Sequence, residues 1–321
     1  MSGAHVAERT LEGRSCLTLS GSDDMLRATF LPGLGMVCCS LLHRGDELLA
    51  QLGGADAYEH HGSTFAIPLL HPYANRLSGW SYSLAGREVT LDPESTLVHR
   101  DSATGLPIHG LMAGRHWTVA DAGADGEQAR LTAEFDFGAH PELLALFPFP
   151  HRLSLTASLT DARLSLRLTL TPTGEARVPV SFGFHPYLTL PGSPRERWEL
   201  ELPVRRRAQL DERMLPSGGG EELASGALSG PLGERTFDDC FDRLGDPPVT
   251  FALSDGRRRV AVEFGEGYRI AQVYAPAGSQ FICYEPMTAP IAALSTGEGL
   301  QWARPGSQFT AEFAVAVTDV N

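Results

Sequence analysis

The sequence of 321 residues lacks a long apolar run. No uninterrupted hydrophobic segment approaches the ~20 residues that a membrane-spanning helix needs, and the first residues show no basic segment followed by an apolar one. Five cysteines are present, Cys38 beside Cys39, but no C-x-x-C spacing occurs. A disulfide framework is therefore not expected, which favours a reducing compartment. We expect a cytoplasmic protein that makes no membrane contact.

Positive charge is also scarce. Lysine and arginine number 26 against 39 aspartates and glutamates, which gives a formal net charge of -13. The two short arginine clusters, at 205–207 and 257–259, are too small to offset this excess. Because such a surface repels phosphate backbones and anionic lipids, nucleic acid is excluded as an expected partner.

Motifs for metal, nucleotide or nucleophilic chemistry are absent as well. H-E-x-x-H and zinc spacings do not occur, and we expect the vicinal pair His60 and His61 to diverge on a strand. The glycine-rich segment at 33–38 has Cys38 where a third glycine would be needed to bind a phosphate. No G-x-S-x-G sequence is present. The sequence thus predicts neither a metal site nor a cofactor.

What the sequence does contain is period-two alternation of leucine with polar residues, clearest at 153–159 and again at 164–170. This pattern predicts a hairpin with one buried face. Further β-rich runs occupy 81–91 (with a turn at Ala85-Gly86), 129–137, 259–264, 268–274, 280–285 and 308–317.

Helix-like stretches are limited to about 141–146 and 220–228, and 216–233 is interpreted as a long surface loop. With no long crossover helices, the strands should pair antiparallel. We predict an all-β chain forming one large antiparallel β-sandwich, with residues 1–321 in a single domain.

Ionisable side chains recur in apolar or turn-rich contexts, where partial burial shifts pKa values. These clusters are His71–Arg76, Pro107–Gly110, Phe182–Tyr187, Cys283–Pro286 and, more weakly, Phe237–Phe241. His185 should stand at a strand end, and Glu285 should end an apolar strand, where it is either functional or paired with an arginine such as Arg76. Together an imidazole and a carboxylate are the minimum for moving protons on and off oxygen at neutral pH.

The order of these clusters resembles the aldose 1-epimerase (mutarotase) family, from about residue 25 to the end. The resemblance rests on A-N-R at 74–76 followed by S-G, H-G at 109–110, F-H-P-Y at 184–187, the F-D-x-x-F pattern at 237–241, and E-P at 285–286. It implies a galactose mutarotase-like supersandwich and an isomerase that interconverts the α and β anomers of a small-molecule aldose without a cofactor.

Residue by residue, the resemblance implies that Glu285 is the general base and His185 the general acid. Glu285 would take the proton from the C1 hydroxyl while His185 protonates the ring oxygen, the two acting from opposite sides of the anomeric centre. Four residues would bind the sugar, and these are Asn75, Arg76, His109 and Asp238. The neighbouring Asp239 replaces Asp238 if the strand register differs by one. Tyr187, Phe184 or Trp80 could stack on the sugar or pack in the core.

Three other functions remain open at this level. A hexose-phosphate epimerase would use Arg100, Arg115 or the 257–259 cluster for the phosphate. A non-catalytic sugar-binding or sensing protein would tolerate loss of His185 or Glu285. A glycoside hydrolase would need Glu285 and Asp238 as its carboxylate pair. The sugar itself and the choice between monomer and homodimer are also left open.

Overall fold

The computed structural model describes residues 3–61 and 63–320, and strands dominate it. The strands are β1 (His5–Leu11), β2 (Arg14–Ser20), β3 (Leu26–Leu31), β4 (Val37–His43), β5 (Asp46–Glu47), β6 (Leu69–Leu70), β7 (Ser81–Leu84), β8 (Arg87–Thr90), β9 (Thr118–Ala124), β10 (Ala129–Asp136), β11 (His151–Leu159), β12 (Arg163–Pro172), β13 (Val178–Val180), β14 (Gly183–Phe184), β15 (Tyr187–Leu188), β16 (Glu199–Glu201), β17 (Val204–Leu210), β18 (Pro216–Glu222), β19 (Gly230–Pro231), β20 (Phe237–Leu244), β21 (Val249–Ser254), β22 (Arg258–Phe264), β23 (Ile270–Ala275), β24 (Ile282–Met287), β25 (Gln301–Ala303) and β26 (Phe309–Asp319). The helices are short, namely α1 (Gly54–His61), α2 (Pro141–Leu144) and α3 (Ala293–Thr296), with 3₁₀ turns at Phe137–Ala139 and Arg195–Arg197.

Two large sheets organise these strands. One has nine strands in the order β19-β16-β21-β22-β26-β12-β11-β10-β9, and the other runs β18-β17-β20-β23-β24-β14-β6, with β15 also paired to β24. A five-stranded meander, β1 to β5, and the pairs β7-β8 and β13-β25 complete the structure. The named strands pair antiparallel wherever the structure describes them, so the predicted all-β antiparallel architecture is confirmed.

The leucine-rich hairpin forms as the alternation predicts. β11 and β12 pair from His151 opposite Pro172 to Leu159 opposite Leu164. Every second side chain of both strands is buried, because residues opposite each other in an antiparallel pair point to the same face. These leucines form part of the core.

The smaller hairpin β7-β8 also forms, with Ala85 and Gly86 as its two turn residues. Both have positive φ, 52° and 74°. Two consecutive residues with positive φ match the tight turn whose twist suits a two-residue hairpin.

Two predictions from composition are wrong. The segment 216–233, interpreted as a loop with a helix-like part at 220–228, instead contains β18 and β19. β18 pairs with β17 from Leu210 opposite Pro216 to Arg206 opposite Glu222. The hydrogen bonds of this pair join backbone groups. Glycine and serine in β18 therefore do not prevent it from pairing with the free edge of β17.

Helix α1 was missed, and His60 and His61 lie in it rather than on a strand. Among the helix residues whose burial the structure describes, Ala55 and Tyr58 are the core residues. Two apolar positions are too few to produce a recognisable helical period. None of the helices in the described ranges is long and apolar enough to cross a membrane.

A pair of buried histidines lies between the aromatic side chains of the core. His151 Nδ1 is 2.6 Å from the Phe149 carbonyl oxygen, so this nitrogen carries the proton and donates it. His71 Nε2 therefore donates to His151 Nε2, 2.8 Å away. Phe137 stacks on His151 with ring centroids 4.5 Å apart. Both imidazoles are held neutral, because burial lowers the pKa of His151 to about 4 and that of His71 well below its usual value.

Acidification is expected to destabilise the fold through this pair. Histidines of the unfolded chain bind a proton near pH 6.5, whereas these two stay neutral in the folded protein. The free energy of unfolding therefore keeps its full value above pH 6.5 and falls as the pH drops from 6.5 towards 4. The expected loss for His151 is about 3 kcal/mol, from 1.36 kcal/mol per pKa unit. Urea unfolding at pH 7.5, 6 and 5 measures it. A His71→Leu/His151→Leu double variant should show a flatter dependence, and equal wild-type stability at pH 7.5 and 5 contradicts this interpretation.

Candidate active site

The proposed acid and base lie in direct contact. His185 lies between the short strands β14 and β15, and both strands pair with β24, which carries Glu285. His185 Nε2 is 3.2 Å from Glu285 Oε1, and the two side chains are only 5% and 2% exposed. Strand pairing therefore brings together two residues that are 100 positions apart in the chain.

Burial pushes both groups towards their neutral forms. It lowers the pKa of His185 to about 3 and raises the pKa of Glu285 well above its usual value, with the negative charge of Asp238 adding to the latter effect. A neutral imidazole beside a protonated carboxyl holds the same number of protons as an imidazolium beside a carboxylate. The two forms differ only in which side of the 3.2 Å contact holds the proton.

This placement changes two expectations. His185 and Glu285 stand side by side, and Glu285 lies within β24, not at its end. Nor is Glu285 ion-paired with Arg76, whose Nε donates to Asp101 Oδ2 at 2.8 Å.

In the described parts of the chain, His185 Nδ1 and Glu285 Oε2 are buried without a hydrogen-bond partner. Such atoms are available to a ligand.

Asp238 shares the face of the sheet that carries Glu285. β20 pairs with β23 so that Cys240 lies opposite Gln272, and β23 pairs with β24 so that Gln272 lies opposite Glu285. Since residues two apart on a strand point the same way, Asp238 and Glu285 face the same side. Asp239 points to the other side, with its Oδ1 3.5 Å from Arg207.

Gln272 is a member of this cluster that sequence reasoning missed. Its Nε2 donates to Asp238 Oδ1 at 2.7 Å, and its Oε1 is buried with no partner among the described residues. Gln272 itself is only 2% exposed. A buried glutamine in an otherwise apolar strand (IAQVYA) is the signal that could have found it.

Hydrogen bonds hold the side chains of Asn75 and Arg76 together. Asn75 Oδ1 accepts hydrogen bonds from the Arg76 backbone N–H (2.8 Å) and from Arg76 Nη1 (3.2 Å). Asp101 holds the other side of the guanidinium, and Thr104 Oγ1 donates to the same Asp101 oxygen at 2.5 Å. The charge of Arg76 acts on both carboxyl groups of the site, opposing the rise in pKa that burial causes at Asp238 and Glu285.

His109, the fourth of the proposed sugar-binding residues, has an unusual backbone conformation. Its φ is 66°, and the following Gly110 has φ 74° with no room for a side chain, because a Cβ there would lie 2.3 Å from the His71 carbonyl oxygen. This conformation sets the His109 ring edge-on to His185, with centroids 5.4 Å apart. Burial, followed by the nearby His185, lowers the pKa of His109 well below its usual value.

Aromatic rings frame the pair. Tyr187 stacks on His185 with centroids 4.3 Å apart, and Tyr274 approaches edge-on at 6.2 Å. Phe184 instead packs in the core against Phe313. Trp80 is tied by its indole N–H to the Gly105 carbonyl. Tyr274 is half-buried and faces the Glu285 side of the sheet, so it is the more accessible of the two rings that approach His185.

The chain resembles known proteins in sequence and in shape. It is 25% identical to the uncharacterized protein YihR of Escherichia coli (strain K12) over 242 residues, which cover 72% of this chain and 74% of YihR. A galactose mutarotase-like protein from Clostridium acetobutylicum superposes with a TM-score of 0.86 at 16% identity over 99% of both chains.

A galactose 1-epimerase from Lactobacillus acidophilus NCFM matches with a TM-score of 0.76 at 16% identity over the full length of both chains. At these identities the structural likeness establishes a galactose mutarotase-like fold. The sequence model for aldose 1-epimerase matches residues 37–316, which is most of the chain. This protein therefore belongs to the aldose 1-epimerase family.

Proposed function

We propose that this protein interconverts the α and β anomers of an aldose by acid–base opening and reclosure of the sugar ring. The observation that carries the proposal is the buried contact between His185 Nε2 and Glu285 Oε1. Ring opening needs one proton removed from the C1 hydroxyl and one delivered to the ring oxygen. A carboxylate and an imidazolium in contact supply both functions.

The reaction starts from the ion-paired form. Glu285 as carboxylate takes the C1 hydroxyl proton while His185 as imidazolium protonates the ring oxygen, and the C1–O5 bond breaks to leave an aldehyde. Rotation about C1–C2 and the reverse proton transfers close the ring on the other face. The number of protons on the pair is conserved in each ring-opening step, because Glu285 gains one proton while His185 loses one.

The surrounding polar groups supply charge and hydrogen-bonding atoms near the pair. Arg76, fixed by Asn75 and Asp101, offers positive charge beside the reacting oxygens. Asp238 and Gln272 offer a hydroxyl-binding pair on the same face as Glu285, and His109 offers a ring nitrogen without a partner among the described residues. We propose that these residues bind the hydroxyl groups and the ring oxygen of the substrate.

Exchange spectroscopy by NMR on freshly dissolved aldoses tests the proposal. The purified protein should raise the anomer exchange rate of at least one aldose well above the uncatalysed rate. Binding without faster exchange would support the sugar-sensing alternative, and release of a reducing sugar from a glycoside would support a hydrolase. Either result would overturn the epimerase proposal.

The two neighbouring aspartates provide a matched pair of variants. Asp238→Asn is expected to lower kcat/KM for anomer exchange by about 10- to 100-fold, because it removes a charged acceptor for sugar hydroxyls. Asp239→Asn should leave kcat/KM within about twofold, because that side chain faces away from Glu285 and contacts Arg207. Equal losses in both variants would contradict the assignment of Asp238.

The pH profile of kcat/KM should reflect the pair and not a lone histidine. The active pair holds one proton, gains a second only near pH 3, and loses its proton where Glu285, with its raised pKa, ionises. We therefore expect no decline between pH 6.5 and 5 and a decline on the alkaline side. Initial rates from pH 5 to 9 measure this. A single inflection near 6.5 would show that His185 titrates independently.

A further inference from the structure

The imidazole of His185 lacks the second polar anchor that commonly orients a proton-transferring histidine. Its Nε2 contacts Glu285 Oε1 at 3.2 Å. Its Nδ1 is buried and has no hydrogen-bond partner among the described residues. In many enzymes a carbonyl or carboxylate oxygen holds the second ring nitrogen of such a histidine. Packing must therefore contribute to the orientation of this ring.

One face of the His185 imidazole is covered by Tyr187. The two rings are stacked, with centroids 4.3 Å apart and an interplanar angle of 11°. His109 and Tyr274 also approach the imidazole, but edge-on, with interplanar angles of 86° and 78°. A parallel ring at this distance opposes rotation of the imidazole about its Cβ–Cγ bond, because the turning ring would collide with it. Of these three rings, Tyr187 is the one that fixes the plane of His185.

Tyr187 is itself anchored at both ends. Its backbone N–H donates to the Ala66 carbonyl oxygen at 2.8 Å. Its hydroxyl lies 2.5 Å from the Thr64 hydroxyl, and Phe281 contacts its ring edge-on with centroids 5.2 Å apart. Thr64 and Ala66 belong to the same segment. One stretch of chain between α1 and β6 therefore holds the ring that covers His185.

The same contacts leave Tyr187 little access to a sugar. The residue is only 5% exposed, and one face of its ring is occupied by His185. Its hydroxyl lies 3.5 Å from His185 Nε2, the atom that faces Glu285. A displacement of the tyrosine ring would therefore act on the substrate through the imidazole.

We propose that Tyr187, anchored by the Thr64 hydroxyl, is a positioning residue that keeps His185 in the orientation in which Nε2 meets Glu285. The inference rests on the proposed function, since Tyr187 acts through the acid–base pair. Proton transfer depends steeply on geometry, and a misplacement of about 1 Å can lower a rate by about 10²-fold. A smaller loss is expected when only the anchor is removed, because both rings remain.

Thr64→Val and Tyr187→Phe remove the two ends of the hydroxyl contact in turn. Each is expected to lower kcat for anomer exchange by about 10-fold, the effect of losing one hydrogen bond that positions a reacting group. KM should stay within about twofold, because the sugar-binding residues are unchanged. The double variant should lose no more than either single variant, since both substitutions break the same contact. NMR exchange spectroscopy measures the three rates.

The ring signals of His185 in the NMR spectrum provide a readout that does not require activity. Thr64→Val leaves the rings of Tyr187 and His185 in place, so a change in these signals reports the loss of the anchor alone. We expect the His185 ring signals to shift or broaden and those of His151, in the core, to stay unchanged. His185→Asn identifies the signals by their disappearance.

Tyr284→Phe is the matched control for the loss of a buried tyrosine hydroxyl. Tyr284 precedes Glu285 on β24 and faces the opposite side of the sheet, where its hydroxyl donates to the Ala252 carbonyl oxygen at 2.8 Å. This variant should keep wild-type kcat, KM and His185 ring signals. Thermal melting compares the stability of all variants. Because Thr64 is partly exposed, its variant stays informative if Tyr187→Phe is unstable.

Three results would overturn the inference. The first is wild-type kcat with unchanged His185 ring signals in both single variants. The second is a double variant whose loss equals the product of the two single losses, because Thr64 would then not act through Tyr187. The third is a rise in KM at constant kcat, which would place Tyr187 against the sugar. Absence of exchange by the wild-type protein rejects the proposed function, whereas the ring signals still decide whether Thr64 and Tyr187 hold His185.

Discussion

Glu285→Gln is expected to lower kcat for anomer exchange by about 10²- to 10⁴-fold, the range that a positioned general base contributes. Glutamine keeps the size of the side chain and can still contact His185, but it cannot accept the proton of the C1 hydroxyl. It also ends the sharing of a proton across the contact, so His185 is left neutral and cannot protonate the ring oxygen. NMR exchange spectroscopy on the preferred sugar measures the loss.

The same variant should be no less stable than the wild type. Burial raises the pKa of Glu285, so the folded protein binds a proton more strongly than the unfolded chain does. This contribution is present below the ordinary glutamate pKa and is lost as the pH rises through the raised value. At neutral pH a glutamine avoids the cost of burying a carboxylate. Substitutions that abolish the function of an active-site residue commonly increase the stability of the protein.

Glu263→Gln is the matched control for this experiment. Glu263 pairs with Arg163 at a partly exposed position on the nine-stranded sheet, away from the site. Its replacement should leave exchange unchanged. Exchange at the wild-type rate in Glu285→Gln, with the protein folded, would remove Glu285 from the mechanism.

His185→Asn should have a comparable effect, also about 10²- to 10⁴-fold on kcat. Asparagine can still hydrogen-bond to Glu285 but cannot deliver a proton to the ring oxygen. The alkoxide that ring opening would otherwise leave lies too high in free energy to form at a useful rate. Stopped-flow polarimetry or NMR exchange measures the loss, and KM should change less than kcat because the sugar-binding residues remain in place.

His140→Asn is the corresponding control, because the partly exposed His140 side chain contacts Glu142 and the Phe135 ring. It should exchange anomers at the wild-type rate. If His185→Asn retained wild-type exchange and the pH profile was unchanged, the imidazole would have no part in proton transfer. If the double variant with Glu285→Gln lost no more activity than either single variant, the two residues act as one unit.

Most strands could be predicted because their signal is local. Alternating burial along β11 and β12 requires alternating leucines, and the turn at Ala85-Gly86 needs residues that tolerate positive φ. The two elements that were not predicted, β18 and α1, lack such a local signal. β18 forms because β17 offers backbone partners, and α1 contributes few core residues in its described part, so neither element needed a distinctive side-chain pattern.

The candidate residues could be selected from the sequence, but their arrangement could not. His185, Glu285, Asn75, Arg76, His109 and Asp238 all stood out as polar residues in apolar or turn-rich surroundings, and the structure brings them into one neighbourhood. Gln272 was overlooked, because the weak signal of one amide in the apolar strand β23 gains its meaning only from the hydrogen bond to Asp238 on the neighbouring strand.

The amino-acid order alone was sufficient for the all-β antiparallel class and the family resemblance, since both depend on residue types at local spacings. Only the tertiary structure decided that His185 and Glu285 touch, that Asp238 and not Asp239 faces them, and that Tyr187, in contact with Thr64, covers one face of His185. Each of these facts depends on strand register and on contacts between segments far apart in the chain. A shift of one residue in register turns a side chain to the opposite face, and no local pattern specifies that choice.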